Sequence, residues 1–143
     1  RRDRRHDPRR ARQPLIVIDA SLAVAVMINP ADGEALSERI EVGAGALAAP
    51  EILDLEVLQV MRRYVRHGGD PQRVAQGFQT LDDLRIERVS HAPLRGRVWE
   101  FRDNLTAYDA AYFARAEMLD VPLWTRDAKF ADVPGSTAVV EII

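Results

Sequence analysis

Cysteine is absent from this chain. Histidine and lysine are nearly so: His6, His67 and His91 are the only histidines, and Lys129 is the only lysine among twenty basic residues. Without thiols there can be no disulfide and no thiolate metal centre. None of the three histidines has ligand spacing to another, so zinc chemistry built on imidazole is also excluded. No run approaches the roughly 18 apolar residues that a membrane helix requires, and no segment has the anatomy of a signal peptide. These absences predict a soluble, cytoplasmic protein with no membrane partner.

Acid and base are unevenly placed. Residues 1–13, "RRDRRHDPRRARQ", hold seven Arg and two Asp, a local charge of +5, while the whole chain sums to −2. The remaining residues therefore carry about −7. Residues 1–14 show no apolar periodicity and read as an Arg-rich extension outside the fold, with residues 15–143 as a single domain. With 47% hydrophobic residues, that domain is long enough to bury a proper core.

The domain opens on "LIVI" (Leu15 to Ile18), a continuous β-branched run of the kind that is buried on both faces of a sheet. "SLAVAVMI" reads as a short helix, "NPADG" (Asn29 to Gly33) as a break and "EALSERIEV" as a second helix. A short strand follows around Ala46 to Ala49, and Pro50 is expected to open the long helix that Gly68-Gly69 stops. Asp70-Pro71 has the pattern of an N-cap and first helical residue for "PQRVAQGFQTLDDL". "IERVS" is a strand, "APLRGRVWEFRDN" a helix to about Asn104, and Thr106 a cap for the helix containing Tyr108. "VPLWT" and "TAVVEI" are the last strands. Alternating strands and helices predict an α/β three-layer sandwich around a largely parallel sheet of four or five strands.

Four acids stand in awkward places. Asp19 and Asp127 follow strands, where open parallel sheets gather ligands, although each alone is equally suited to capping a helix. In the long helix the apolar stripe is Leu53, Val57, Val60, Met61 and Tyr64, with Glu56 on one border and Asp54 on the other. Periodicity does not choose between them. Asp109 borders the stripe of Tyr108, Tyr112, Arg115/Ala116 and Leu119, with Arg115 and Arg102 available as ion-pair partners. If these acids converge, two carboxylates about 4 Å apart repel by roughly 4 kcal/mol at an effective dielectric near 20, so the cluster needs protons or a cation. An all-oxygen site selects Mg²⁺ or Mn²⁺, whose remaining ligand is commonly phosphate. Such chemistry cleaves phosphodiesters.

The segments "IVIDASLAVA", "APEILDLEVLQVMRR", "LTAYDAAYFARAEMLDVPLWTRDAKFA" and "VVEI" together resemble a PIN-domain ribonuclease of the VapC toxin type, in order and spacing, from Leu15 onward. The resemblance implies an acidic quartet at Asp19, Glu56, Asp109 and Asp127, and so prefers Glu56 to Asp54. It further implies a metal-dependent endoribonuclease acting on RNA, a homodimer, and a cognate antitoxin that occupies the active groove. One departure bears on the site: Ala20 stands where the family commonly has a hydroxyl, with Ser21 next. Thr125 stands where the family often has a small hydroxyl near the fourth acid, and Asn104 matches a polar position ahead of "LTAYDA".

An acidic body repels RNA. Arg62, Arg63, Arg66, Arg95, Arg97, Arg102, Arg115 and Arg126 are the candidate phosphate contacts. A phosphoacceptor receiver domain would need an acid after "IERVSH" and a differently placed lysine, and is rejected. A catalytically inactive PIN-like module that binds RNA or protein is the other alternative. Its marker would be a missing acid, and all four are present.

Overall fold

A computed structural model describes residues 15–43 and 45–143. The Arg-rich extension expected at residues 1–14 lies outside the described residues. Five strands form one parallel sheet: β1 (Leu15–Ile18), β2 (Ala46–Pro50), β3 (Glu87–Val89), β4 (Leu123–Thr125) and β5 (Val140–Ile142). Their order is β3-β2-β1-β4-β5. Among the described residues six helices flank the sheet: α1 (Ala20–Ile28), α2 (Pro30–Gly43), α3 (Ile52–Arg66), α4 (Pro71–Asp83), α5 (Arg95–Glu100) and α6 (Ala107–Leu119). The predicted α/β sandwich with a parallel sheet is therefore the observed architecture.

In chain order the sheet grows from β1 outward to β2 and β3, then returns to the other side of β1 for β4 and β5. The strand order reverses between β1 and β4, and ligands of doubly wound sheets bind in the crevice beyond the strand ends at such a point. Asp19 follows β1 and Asp127 follows β4. Ile16, Val17 and Ile18 are all buried, as a central strand covered on both faces requires.

Packing fixes the helices that carry the other acids. Leu53, Val57 and Met61 of α3 are buried, as its apolar stripe predicts. In α6 every residue from Ala110 to Ala116 is buried, so the predicted one-sided stripe is corrected: α6 is an inner helix, and Tyr108 lies outside its buried run. Phe113 of α6 meets Phe101 at 6.0 Å and Phe130 edge-on at 5.0 Å, fastening α6 to the segment just after Asp127. Helices α1 and α4 approach so closely that a Cβ on Gly77 would sit 2.7 Å from the Met27 carbonyl oxygen.

Three boundaries differ from expectation. Helix α2 starts at Pro30, within the expected break, because proline suits the first helical position and the Asn29 side chain accepts the Ala31 N–H at 3.1 Å. Pro50 ends β2 opposite Val89 and does not open α3; a strand end tolerates the missing N–H. Helix α5 stops at Glu100, where Asn104 N and Leu105 N both turn back onto the Phe101 carbonyl at 2.9 Å.

Candidate active site

A cleft of about 760 Å³ opens at the switch point, and Asp19, Glu56, Asp109 and Asp127 all line it. They arrive from four parts of the chain: the end of β1, the second turn of α3, the first turn of α6 and the turn after β4. Ser21, Gln59, Arg63, Tyr108 and Tyr112 share the wall, with Ile52 and Phe130 among the apolar residues.

Asp19 is buried and held from both sides. Its Oδ1 accepts the Leu22 N–H at 3.1 Å and the Ser21 hydroxyl at 2.7 Å, while Oδ2 accepts the Thr125 hydroxyl at 2.5 Å. Ser21 therefore supplies the hydroxyl that Ala20 lacks. Thr125 Oγ1 also accepts the Asp127 N–H at 2.9 Å, and Ser21 Oγ accepts the Arg126 N–H at 2.9 Å, so two hydroxyls stitch the β1 end to the β4 end. Asp127 caps the following 3₁₀ turn, accepting the Lys129 N–H at 3.0 Å. Both strand-end acids are thus caps and cleft residues at once. Asp109 follows the Thr106 cap, whose hydroxyl accepts the Asp109 N–H at 3.1 Å.

The ambiguity on α3 resolves by partners. Asp54 is taken by Arg88 of β3 in a two-pronged ion pair at 2.6 and 2.9 Å, off the cleft. Glu56 faces the cleft, where the Tyr112 hydroxyl donates to its Oε1 at 2.7 Å. Tyr112 is 1% exposed. Its role in holding Glu56 is absent from the sequence reading, which treats Tyr112 only as packing. The available signal is its place one turn after Asp109, on the same side of α6.

Burial pushes the Asp19 carboxyl above the ordinary range, against the pull of its Thr125, Ser21 and Leu22 bonds; the Asp127 charge adds to the rise. Burial likewise raises Glu56, opposed by the Tyr112 bond and reinforced by Asp109 and Asp19. Asp109 is raised by burial, opposed by the Thr106 hydroxyl, and raised further by Asp127. Burial, followed by the Glu56 charge, drives the Tyr112 phenol upward, so it stays a donor.

Among the described residues, no three carboxylates or histidines are gathered closely enough to hold an ion as they stand. The donor set nevertheless fits a hard divalent cation. Four acids line the cleft and no histidine does. Three of them are pushed toward protonation by burial and by one another, a strain that a cation between them would relieve.

Several expected partners lie elsewhere. Arg97 binds Glu117, Glu100 and the Gly135 carbonyl. Arg126 pairs with Asp32 at 2.7 Å, and Arg115 is buried near Glu87. Arg102 lies over Trp99. Arg97, Arg115 and Arg126 are thus paired with carboxylates, while Arg102 is exposed with no ion pair; neither Arg115 nor Arg102 pairs with Asp109 among the described residues. Lys129 lies beside the quartet, 3.8 Å from Asp127. Arg62, Arg63 and Arg66 remain exposed on α3 with no ion pair among the described residues, and Arg63 reaches the cleft wall. Asn104 sits exposed in the turn ahead of α6.

Comparisons with known proteins bear on the fold and the family. The PIN domain matches residues 16–136. The chain is 35% identical over 132 residues to the VapC ribonuclease Mb0985 of Mycobacterium bovis, covering 90% of this chain and 98% of the relative. Ribonuclease VapC12 of Mycobacterium tuberculosis is 32% identical over 131 residues, covering 90% of this chain and 99% of the relative. Among solved structures, VapBC2 from Rickettsia felis bound to a DNA fragment from their promoter aligns with a TM-score of 0.66 at 15% identity, over 90% of this chain and 98% of that one. PAE2754 from Pyrobaculum aerophilum aligns with a TM-score of 0.64 at 18% identity, over 91% and 85%. The chain belongs to the PIN-domain family, among its VapC ribonucleases.

Proposed function

We propose that this ribonuclease hydrolyses RNA phosphodiester bonds at the switch-point cleft, with Asp19, Glu56, Asp109 and Asp127 holding Mg²⁺ or Mn²⁺. The observation that carries this reading is the meeting of four carboxylates from four separate elements on one cleft wall. When bound, the cation supplies an activated water and neutralises charge building on the phosphate. The protein's part is positional. Asp19 is fixed by three hydrogen bonds, and Glu56 is steered by the Tyr112 hydroxyl. The Thr125 hydroxyl ties Asp127 to Asp19. Arg63 offers the substrate phosphates a positive charge on an otherwise acidic wall. No side-chain nucleophile is required.

The protein acts as the toxin of a toxin–antitoxin pair, with a cognate antitoxin and a second copy of itself as protein partners. Support comes from the similar folds of VapBC2 from R. felis and of a toxin–antitoxin complex from Klebsiella pneumoniae, the latter with a TM-score of 0.58 at 21% identity. Among the described residues no helix is long and apolar enough to cross a membrane, and an RNA substrate supports a cytoplasmic setting. No observation favours the inactive binding module, since all four acids face the cleft.

The test is cleavage of total bacterial RNA by the purified chain, comparing wild type with Asp109→Asn in EDTA and then with Mg²⁺ or Mn²⁺. Discrete fragments that need metal and vanish in a folded Asn variant are the expected result. Equal cleavage by both proteins would remove Asp109 from the mechanism.

A further inference from the structure

A second cleft of about 380 Å³ abuts the first and shares Ile52 and Tyr108 with it. Its floor is apolar, made by Leu94, Val98 and Ala111, and its rim carries His91 and Arg95. It belongs to the same edge of the sheet as the acids. Ile52 opens α3 just after β2, and His91 follows β3, so the second cleft lies beyond the carboxyl ends of β2 and β3. The acids lie beyond β1 and β4. A strand laid along this edge across the acids therefore passes Tyr108 and enters the second cleft.

The walls suit one occupant. Tyr108 is 60% exposed although it adjoins Asp109, so its ring is a free face between the two clefts. Single-stranded RNA is recognised by unstacked bases laid on aromatic side chains and bonded at their edges. His91 Nε2 accepts the Ile52 N–H at 2.9 Å, which puts the neutral ring's proton on Nδ1 and leaves that N–H as a donor. Arg95 is exposed and makes no ion pair among the described residues, so its charge is not already taken by a carboxylate. The volume is at the small end of ligand clefts, roughly 300–1,000 Å³. That is room for a nucleotide, whereas a docked helix needs a longer groove to take its repeating anchors.

We infer that this second cleft is a nucleobase subsite for the single-stranded RNA substrate, with Tyr108 stacking on a base beside the cut and Arg95 meeting its phosphate. The inference rests on the ribonuclease reading for the identity of the substrate, but its binding prediction stands separately. Tyr108 thereby contributes to sequence preference, and the acids do not.

The experiment measures binding of labelled single-stranded homopolymers of A, C and U by anisotropy in Mg²⁺. It uses the Asp109→Asn background, so that no RNA is cut. It is repeated with Tyr108→Phe, Tyr108→Ala and Arg95→Ala, and with a strand carrying abasic nucleotides. Tyr108→Phe should bind like its parent. Tyr108→Ala should lose about 5- to 100-fold on the base-bearing strands and little on the abasic one. Arg95→Ala should lower the slope of log affinity against log salt by about 0.7, one phosphate contact on a single strand. Parental affinity and slope in both alanine variants would overturn the subsite, and would do so even if wild type cuts RNA with metal. Loss of base binding in Tyr108→Ala, in a protein that cuts nothing, would uphold the subsite while removing the nuclease reading. Alanine variants that bind RNA normally but lose affinity for a protein partner would assign the cleft to that partner and overturn the inference.

Discussion

Replacing Tyr112 by Phe should weaken the proposed metal site more than the fold. The substitution keeps a ring that is buried among core residues and removes only the hydroxyl that donates to Glu56 at 2.7 Å. A hydrogen bond to a charged acceptor contributes about 1.5–3 kcal/mol. Glu56 is half-buried on an open cleft, so water takes over part of that bond, and a loss of about 1 kcal/mol is expected in the metal-free protein. The metal-bound state loses more. Glu56 is then free to rotate away from the site, and loss of such an outer partner lowers metal affinity by roughly 10- to 100-fold. Under saturating metal each tenfold of affinity removes about 1.4 kcal/mol of ligand stabilisation. The assay is thermal unfolding of both proteins in EDTA and across a Mn²⁺ titration. The gap between them should widen as Mn²⁺ rises. A constant gap would mean that the hydroxyl supports packing alone. A narrowing gap would mean that Tyr112 competes with the cation for Glu56, and the reasoning would be refuted.

Two acids one turn-half apart on α3 should behave oppositely. Asp54→Asn loses a partly exposed pair with Arg88, about 0.2–1 kcal/mol of stability, and keeps metal binding. Glu56→Gln should cost Mn²⁺ affinity beyond the roughly 100-fold of an outer partner, by calorimetric titration, and the reverse pattern would exchange their roles. Gly77→Ala should destabilise by about 1–2 kcal/mol despite alanine's better helix propensity, because the new Cβ meets Met27 backbone at 2.7 Å. Its melting point should fall by about 3–8 °C, and a rise would show that α1 and α4 can separate cheaply. Asp19 is held above its ordinary pKa, so the folded state binds its proton more tightly than the unfolded chain does. Its contribution to metal-free stability therefore falls as pH rises from the unfolded carboxylate range, near about 4, through the raised folded value. Chemical denaturation of wild type against Asp19→Asn should show the variant gaining on wild type over that rise, and a gain on acidification would contradict the burial argument.

What the sequence disclosed follows from the range of the physics involved. Local rules reach β1 and Asp19, the Asp70-Pro71 start of α4 and the Thr106 cap of α6, since each depends on neighbours within one turn. Periodicity reaches the buried face of α3 but stops at its borders, where Asp54 and Glu56 are equivalent until Arg88 and Tyr112 arrive from distant segments. The arginines were least legible. Whether Arg97, Arg115 or Arg126 meets RNA depends on carboxylates brought near only by folding, and all three are consumed there. The inner position of α6 was hidden for a related reason: its alanines allow close approach on every side, so no polar face marks one as solvent.

Capping and the proposed metal binding at Asp19 are not rival uses of one carboxylate. An ionised carboxylate has about four lone-pair positions. Leu22 N, Ser21 Oγ and Thr125 Oγ1 occupy three of them, which leaves one for a cation. The three bonds also prevent the side chain from rotating away when the cleft is empty of cation, so the cost of orienting Asp19 is met during folding. Asp127 has the same construction in weaker form, with the Lys129 N–H on one oxygen and the Lys129 ammonium 3.8 Å from the other. That ammonium partly neutralises the acidic pair while no cation is present. It would be repelled when one enters, so Lys129 should swing outward on metal binding. A strand-end cap is thus a local structure from which a parallel sheet can make a metal ligand: the backbone fixes one oxygen, and the switch point turns the other toward its neighbours.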